Sequence, residues 1–165
     1  MPSPAPRILA LDPGTRKMGV ALLEGERLVY HGVNAFPGGR SPRRRLRDAH
    51  GAVARLLNDF RPDVLAMEGA FVTGNRRVAL LNVLADEIQA IAGNRGLPVM
   101  RFAPATVKKH VTGDGHASKD AVARAAARVF PELVVYLTQD RKWKTLHHAN
   151  MFDAVAVGLT ARDRL

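Results

Sequence analysis

The segment RILALDPGTRKMGVALLEGERLVYHGV, residues 7–33, decides the fold class of this chain. Apolar residues dominate positions 7–11, 18–23 and 28–33, a pattern that predicts three β-strands. The sequences Asp12-Pro13-Gly14 and Glu24-Gly25-Glu26 between them are typical of tight turns. Strands joined by such short turns pair antiparallel, so the segment predicts three consecutive strands of one sheet.

The rest of the chain alternates helical and strand patterns. A helix is predicted from Ser41-Pro42 to Arg61-Pro62, and a strand over 64–67 ends in Glu68. There follow a helix over 75–92, a strand over 97–102, and helices over 104–110, from Ser118 to about Phe130, and over 147–162. Residues 133–144 are expected to form a loop that orders only with partners. The order βββαβαβ followed by helices predicts an α/β fold, a five-stranded mixed sheet flanked by helices in a single domain spanning residues 1–165.

Charge and composition narrow the class of partner. The 165 residues carry a formal net charge of +10 and include no cysteine, which excludes disulfides, thiolate metal sites and cysteine nucleophiles. No signal-peptide pattern and no membrane-length apolar run is visible, so a cytoplasmic protein without a membrane partner is expected. A field of this sign favours a polyanion such as DNA or RNA. The bases form four clusters: Arg40, Arg43, Arg44, Arg45 and Arg47; Arg76 and Arg77; Lys108 and Lys109; and Arg141, Lys142 and Lys144.

Two of the predicted strands end in an acid. Asp12 follows Ile-Leu-Ala-Leu, and Glu68 follows Val-Leu-Ala-Met. If the two strands are neighbours, the carboxylates converge at one edge of the sheet and repel each other unless a cation lies between them. Carboxylate oxygens select Mg²⁺ or Mn²⁺, and two such ions per active site can hydrolyse a phosphodiester. The alternative is that Asp12 caps its turn and Glu68 forms a surface ion pair.

A third acid, Asp153, lies on the last predicted helix. Asn150 precedes it by three residues and lies on the same side of the helix, roughly 60° away. His147 and His148 lie about 120–140° away and are poorer partners unless they precede the helix. A polar helix face exposed to solvent is the alternative interpretation for Asp153.

Together these segments resemble the RuvC family of Holliday-junction resolvases, and the resemblance covers nearly the whole chain. ILALDPGTRKMGV, residues 8–20, is similar to the first-strand motif of that family and of related RNase H-like proteins. AMEGAFVTGNRRVAL, residues 66–80, resembles the second catalytic motif, an acid followed three residues later by phenylalanine. PATVKKHVTGDGHASK, residues 104–119, is the most specific match. The resemblance implies an RNase H-like fold and an endonuclease that resolves four-way DNA junctions by paired nicks.

The resemblance also implies roles for individual residues. Asp12, Glu68 and Asp153 would bind the metal ions, Lys119 would stabilise charge on the scissile phosphate, and Lys108 would hold backbone phosphate. Phe71 would stack on bases at the branch point. Arg76 and Lys109, which lie within these motifs, are expected to bind the nucleic acid as well.

The family further implies a homodimer, with two active sites on two strands of a symmetric junction. The helix over 75–92 is the expected interface, with Leu80, Leu81, Leu84 and Ile88 as its apolar contacts. Packing of that helix on the sheet is the alternative. A branch-migration motor complex is a further partner that the family implies.

The chain departs from the family at one position. RuvC proteins usually have an acid or a histidine three residues before the last Asp, and here Asn150 stands there as a fourth, uncharged metal ligand. Asn150 is a native neutral ligand, or His147 or His148 substitutes for it, or an Asp-to-Asn change was introduced to trap substrate. Two other functions stay open at this point: an RNase H-like RNA nuclease of the YqgF type, and a junction-binding protein whose active site is impaired at Asn150.

Overall fold

A five-stranded mixed sheet forms the centre of the protein, in a computed structural model that describes residues 2–36, 41–69, 74–138 and 145–165. The strands are β1 (Arg7–Asp12), β2 (Lys17–Glu24), β3 (Arg27–Ala35), β4 (Val64–Glu68) and β5 (Val99–Phe102). Their order across the sheet is β3-β2-β1-β4-β5. The first three strands pair antiparallel, whereas β4 runs parallel to both β1 and β5. The predicted mixed sheet is therefore confirmed.

Six helices flank this sheet in the described part of the chain. They are α1 (Pro42–Phe60), α2 (Arg76–Asn94), α3 (Pro104–Thr112), α4 (Lys119–Val129), α5 (Val134–Thr138) and α6 (Thr145–Arg162), with a short 3₁₀ turn at Pro131–Leu133. Three of them begin next to the residues that were expected to start them. The side chains of Ser41, Asn75 and Ser118 each accept a hydrogen bond from the backbone N–H three residues later.

Side chains that alternate along each strand bury both faces of the sheet. Leu9 and Leu11 of β1 pack with α1 and α2, whereas Ile8 and Ala10 of the same strand pack with α4 and α6. This alternation follows from the two-residue repeat of a strand. The result is one helical layer formed by α1 and α2, and a second formed by α3, α4 and α6. No helix in the described ranges is long and apolar enough to cross a membrane.

Several expected boundaries differ from the structure, and two of these differences have a visible cause. β5 begins at Val99, because the Leu97 N–H bonds to the Ala92 carbonyl at the end of α2 and Pro98 has no N–H. Part of the expected loop over 133–144 is α5, which is held by the packing of Tyr136 and Leu137 against the core. The remainder of that expected loop, residues 139–144, lies outside the described ranges.

The expected apolar interface on α2 is wrong for two of its four residues. Leu84 and Ile88 are fully buried against the sheet within this one chain, so they are not available to a second copy. Leu80 and Leu81 are only partly buried. The alternative, that α2 packs on the sheet, accounts for its inner face.

Candidate functional site

Two carboxylates lie at the C-terminal ends of neighbouring parallel strands. β1 ends at Asp12 and β4 ends at Glu68. The strand register pairs Leu11 with Met67, so each acid is the next residue at the same edge of the sheet. Parallel strands that end together direct their last side chains to one crevice. The structure thus makes β1 and β4 neighbours, as the convergence of the two acids requires.

A close approach of α6 to β2 brings the third acid to this edge. Gly19 of β2 is paired with Asp12, and the backbone of Asn150 packs directly over it. A Cβ atom at Gly19 would overlap the Asn150 carbonyl group. Because that side chain is absent, the N-terminal half of α6 lies against the sheet at the level of Asp12. Asn150 and Asp153 consequently line the same crevice as Asp12 and Glu68.

The amide of Asn150 is oriented by the backbone of β2. Its Nδ2 atom donates a long hydrogen bond of 3.5 Å to the Lys17 carbonyl oxygen. The amide oxygen is therefore the atom left to accept a hydrogen bond or to bind a cation. His148 lies inside α6, and its ring packs 4.8 Å from the ring of Tyr136, among the residues of an aromatic cluster rather than in the crevice.

Each helical layer contributes one wall of the crevice. One wall, from the α1–α2 layer, is lined by Arg45, Arg76 and Arg77. Lys108 and Lys119 line the crevice from the α3–α4 layer. The acids lie between the two walls, at the edge of the sheet. A ligand in this crevice therefore meets carboxylates below it and cations on both sides.

Four helices begin at this crevice, since the N-terminal turns of α1, α2, α3 and α4 all line it. The N-terminus of a helix carries a partial positive charge and favours anions. The first turns of α1, α2 and α3 nevertheless contain no acidic residue. At these helix ends, cationic side chains add to the positive charge of the helix N-terminus, although acidic side chains in the same places would stabilise the helices more. This arrangement suits a polyanionic ligand.

Lys119 connects the lysine side of the crevice to the acids. Its Nζ atom lies 3.3 Å from the Asp153 carboxylate. Two-thirds of the Lys119 side chain is exposed, whereas Asp153 is only 17% exposed. Although partial burial opposes the charged form, Asp153 and then Asp12 and Glu68 raise the pKa of Lys119 above its ordinary value. Lys119 is therefore a protonated donor that also faces solvent.

Burial raises the pKa values of all three acids, and repulsion between carboxylates adds to the rise at Asp12 and Glu68. Burial is the main cause at Asp12, and the charges of Asp153 and Glu68 raise its pKa further. Burial and then Asp153 raise the pKa of Glu68 to about 7. Burial also raises the pKa of Asp153, although Lys119 opposes that shift. Acids held together in this way favour a cation, which restores their charged forms.

The ligands at this edge fit a hard divalent cation. They are carboxylate and amide oxygens, the atoms that Mg²⁺ and Mn²⁺ prefer. Within the described ranges, no three histidine, aspartate or glutamate side chains are close enough to enclose one ion. A bound divalent cation would offset the repulsion among the three carboxylates.

A guanidinium group holds the backbone immediately after Glu68. Arg101 on β5 donates to the Gly69 carbonyl oxygen at 2.7 Å and to Asp86 and Gln89 of α2 at 2.9 and 2.8 Å. A Cβ atom at Gly69 would collide with this guanidinium group. Arg101 therefore ties the end of β4 to α2 and fixes the backbone next to Glu68. Nothing in the sequence patterns of β5 predicts this contact.

The crevice gathers most, but not all, of the residues that the sequence predicted for the site. Those that line it are Asp12, Glu68, Lys108, Lys119, Asn150, Asp153 and Arg76. Lys109 is exposed on α3 and is not among the lining residues. Phe71 and the side chain of His147 lie outside what the structure describes. Arg45 and Arg77, which the sequence analysis named only as members of basic clusters, also line the crevice, as does Arg16, which it did not name. A base-rich first turn is the signal that could have assigned Arg45 and Arg77 to the site.

Comparison with known proteins agrees with this geometry. The family model described as crossover junction endodeoxyribonuclease RuvC matches residues 8–161. A protein of that name from Myxococcus xanthus is 40% identical over 158 residues, which cover 93% of this chain and 78% of the relative. One from Geobacter sulfurreducens is 32% identical over 151 residues, covering 87% of this chain and 92% of the relative.

A solved structure supports the same assignment at the level of the fold. Thermus thermophilus RuvC in complex with Holliday junction substrate superimposes with a TM-score of 0.73 over 96% of both chains, at 24% sequence identity. At that identity the likeness establishes the RNase H-like architecture alone. The family match over almost the whole sequence adds the evolutionary relation, and this chain therefore belongs to the RuvC family of crossover junction endodeoxyribonucleases.

Proposed function

We propose that this chain is an endonuclease that resolves four-way DNA junctions by paired symmetric nicks in recombination and repair. The observation that carries the proposal is the convergence of Asp12, Glu68 and Asp153 in a crevice lined with cations. The acids supply ligands for a cation, and the cationic walls supply contacts for a phosphate backbone. The names of the relatives add the junction as the substrate.

Asp12, Glu68, Asp153 and Asn150 would hold two Mg²⁺ or Mn²⁺ ions per active site. When bound, such ions activate a water molecule and stabilise the leaving oxygen of the phosphodiester. Asn150 brings no charge to the ligand set, so its ion is bound more weakly than by an acid. Manganese tolerates imperfect geometry better than magnesium. We therefore expect Mn²⁺ to support faster cutting than Mg²⁺, and equal or better rates with Mg²⁺ would contradict this.

The remaining site residues act on the DNA. Lys119, 3.3 Å from Asp153, is placed to hold its proton beside the phosphate that is cut and to stabilise the charge that develops there. Lys108 lies on the same wall and would bind a neighbouring phosphate. Arg76, at the opposite wall, and Lys109, on the exposed side of α3, would hold the backbone further from the cut. Phe71 would stack on bases at the branch point.

Paired nicks require two active sites, so the proposed active form is a homodimer. Leu80, Leu81 and the exposed Val83 are the apolar residues of α2 that a second copy could cover. A branch-migration motor complex would be a partner of that dimer. The dimer is tested by the molar mass in solution, measured for the wild type and for Val83→Asp. A monomeric wild type that still makes paired nicks would argue against it.

One other function has an observation in its favour. Asn150 in place of a charged ligand is what a junction-binding protein with an impaired active site would contain. The RNA nuclease of the YqgF type receives no support from the relatives, whose names specify a junction endodeoxyribonuclease.

The test is cleavage of a synthetic mobile four-way junction beside matched duplex, fork and structured-RNA controls. Mg²⁺ and Mn²⁺ are used separately, with the wild type and Asn150→Asp. Symmetric nicks in the junction alone establish a resolvase. Cutting by Asn150→Asp alone would make the wild type a binding form. Cutting of RNA and not of the junction would overturn the proposal.

A further inference from the structure

Arg45 lies on the opposite wall of the crevice from Lys119. It is the fourth residue of α1, in the first turn of a helix that begins at Pro42. Its side chain lines the crevice that contains Asp12, Glu68 and Asp153. The neighbouring arginines Arg43 and Arg44 of the same turn are exposed and are not among the lining residues.

The guanidinium group of Arg45 has a donor without an acceptor. Its Nε atom is shielded from solvent and has no hydrogen-bond partner in the described part of the chain. Buried donors in folded proteins are almost always paired, so an exception calls for a physical explanation. A donor at a ligand crevice is explained when the ligand brings the acceptor.

The acids of the site interact with lysine side chains rather than with Arg45. Lys119 lies 3.3 Å from the Asp153 carboxylate, and Lys108 lines the crevice on the same wall. Arg45 forms no ion pair of this kind among the described residues. The charge of Arg45 is thus not neutralised by an acid of the site and is available to a ligand, whereas the charge of Lys119 is partly neutralised by the Asp153 carboxylate.

We propose that Arg45 binds a phosphate group of the DNA strand that enters the crevice, on the wall opposite Lys119. This deepens the proposed function and rests on it. Because Nε is shielded in the unbound protein, the side chain turns toward the ligand on binding, and its planar guanidinium group then offers Nε–H and one Nη–H to two oxygens of the same phosphate. Contact from both walls would fix the strand across the acids at the edge of the sheet. Arg45 is then a binding and positioning residue for the strand that is cut.

The test compares Arg45→Gln, Arg45→Lys and the matched control Arg43→Gln. The control removes the same charge from the same helical turn, but from a side chain outside the crevice. Binding of a four-way junction is measured in EDTA over a range of salt concentrations, so that DNA is bound without being cut. Thermal unfolding of each variant is measured in parallel. Because the Nε atom has no partner to lose, Arg45→Gln should not lower the melting temperature.

Arg45→Gln is expected to weaken junction binding about tenfold and to reduce the slope of log Kd against log salt by about 0.9, the value for one lost phosphate contact. Arg45→Lys should restore the slope, because it keeps the charge, and restore the affinity only in part, because it lacks the planar fork. Arg43→Gln should change both quantities less than Arg45→Gln.

Equal effects of Arg45→Gln and Arg43→Gln would overturn the proposal, since the loss would then reflect total charge. A melting temperature lowered in Arg45→Gln together with unchanged binding would also overturn it, because the role would then be structural. The proposed function fails separately, if the wild type binds DNA but does not cut a junction in either metal. A wild type that binds no DNA would overturn both.

Discussion

Replacing Gly19 by alanine should damage the active site through the backbone, without touching any proposed ligand side chain. The added Cβ would overlap the carbonyl group of Asn150 and lie 3.0 Å from the Met151 nitrogen. These atoms belong to the backbone of α6 and cannot rotate away. The helix must therefore move off β2, by on the order of 1 Å, and it takes Asn150 and Asp153 with it. A displacement of that size costs about 10²-fold in rate, or about 2.7 kcal/mol.

The same overlap has a cost in stability. Overpacking a buried contact typically costs about 1–3 kcal/mol. For a chain of this size, each kcal/mol lowers the melting temperature by about 2–4 °C. We therefore expect Gly19→Ala to lose about 2–12 °C in Tm and to bind Mn²⁺ more weakly. Junction cleavage, Mn²⁺ binding followed by electron paramagnetic resonance, and thermal unfolding measure the three effects.

Gly158→Ala is the matched control, because it also adds a Cβ between α6 and the sheet. There the nearest atom is Leu23 Cδ1 at 2.5 Å, the end of a side chain that can change rotamer. Stability should fall with little loss of cleavage. Gly19→Ala with cleavage within threefold of the wild type and unchanged Mn²⁺ affinity would refute the reasoning. Equal losses of cleavage in both variants would show general loosening of α6 instead.

Three further substitutions test the electrostatics and the support of the site. Burial raises the pKa of Glu68 from 4.5 to about 7. In EDTA, where no metal is bound, the unfolded chain therefore loses the Glu68 proton at a lower pH than the folded chain does, and the folded state loses stability between these two pKa values. Glu68→Gln should accordingly raise the unfolding free energy more at pH 8 than at pH 5, by at most about 3 kcal/mol; a larger gain at pH 5 contradicts this. Lys119→Met should cut about 10²–10³-fold more slowly. Its pH–rate profile should move to higher pH, because the positive charge of Lys119 no longer lowers the pKa of Asp153. An unmoved profile would show that Lys119 does not influence the acids. Arg101→Met should lower the free energy of unfolding in urea by about 1–3 kcal/mol and slow cleavage, because the Gly69 carbonyl and two α2 side chains lose their donor. Full activity at reduced stability would show that Arg101 supports the fold and not the active site.

Strand and helix patterns predicted most of the fold because its elements obey local rules. Ser41, Asn75 and Ser118 cap the helices that they were expected to begin. The turns after β1 and β2 are short enough to force antiparallel pairing. Placing β4 beside β1 needed the tertiary structure, since the helical segment between them permits more than one partner strand. Once that pairing is known, the convergence of Asp12 and Glu68 follows from the register.

Long-range contacts account for what the sequence did not predict. The helical period of α2 is the same for a core face and for a subunit interface, and the pattern alone could not assign Leu84 and Ile88 to the core. The contact of Gly19 with Asn150 joins residues 131 positions apart, and a glycine inside a strand does not name its neighbour. Arg101 was missed for the same reason, because its partners lie on α2 and after β4.

The N-terminal turns that meet at the crevice also bear on how stable this protein can become. Cations at the positive ends of α1 and α2 each give up about 0.3–1 kcal/mol that an acid in the same place would contribute. The chain is therefore electrostatically frustrated where it meets its substrate, and nucleic acid relieves that frustration on binding. Selection for thermal stability alone would replace these bases by acids. Their presence records a trade-off in which the unbound protein is less stable than its fold permits.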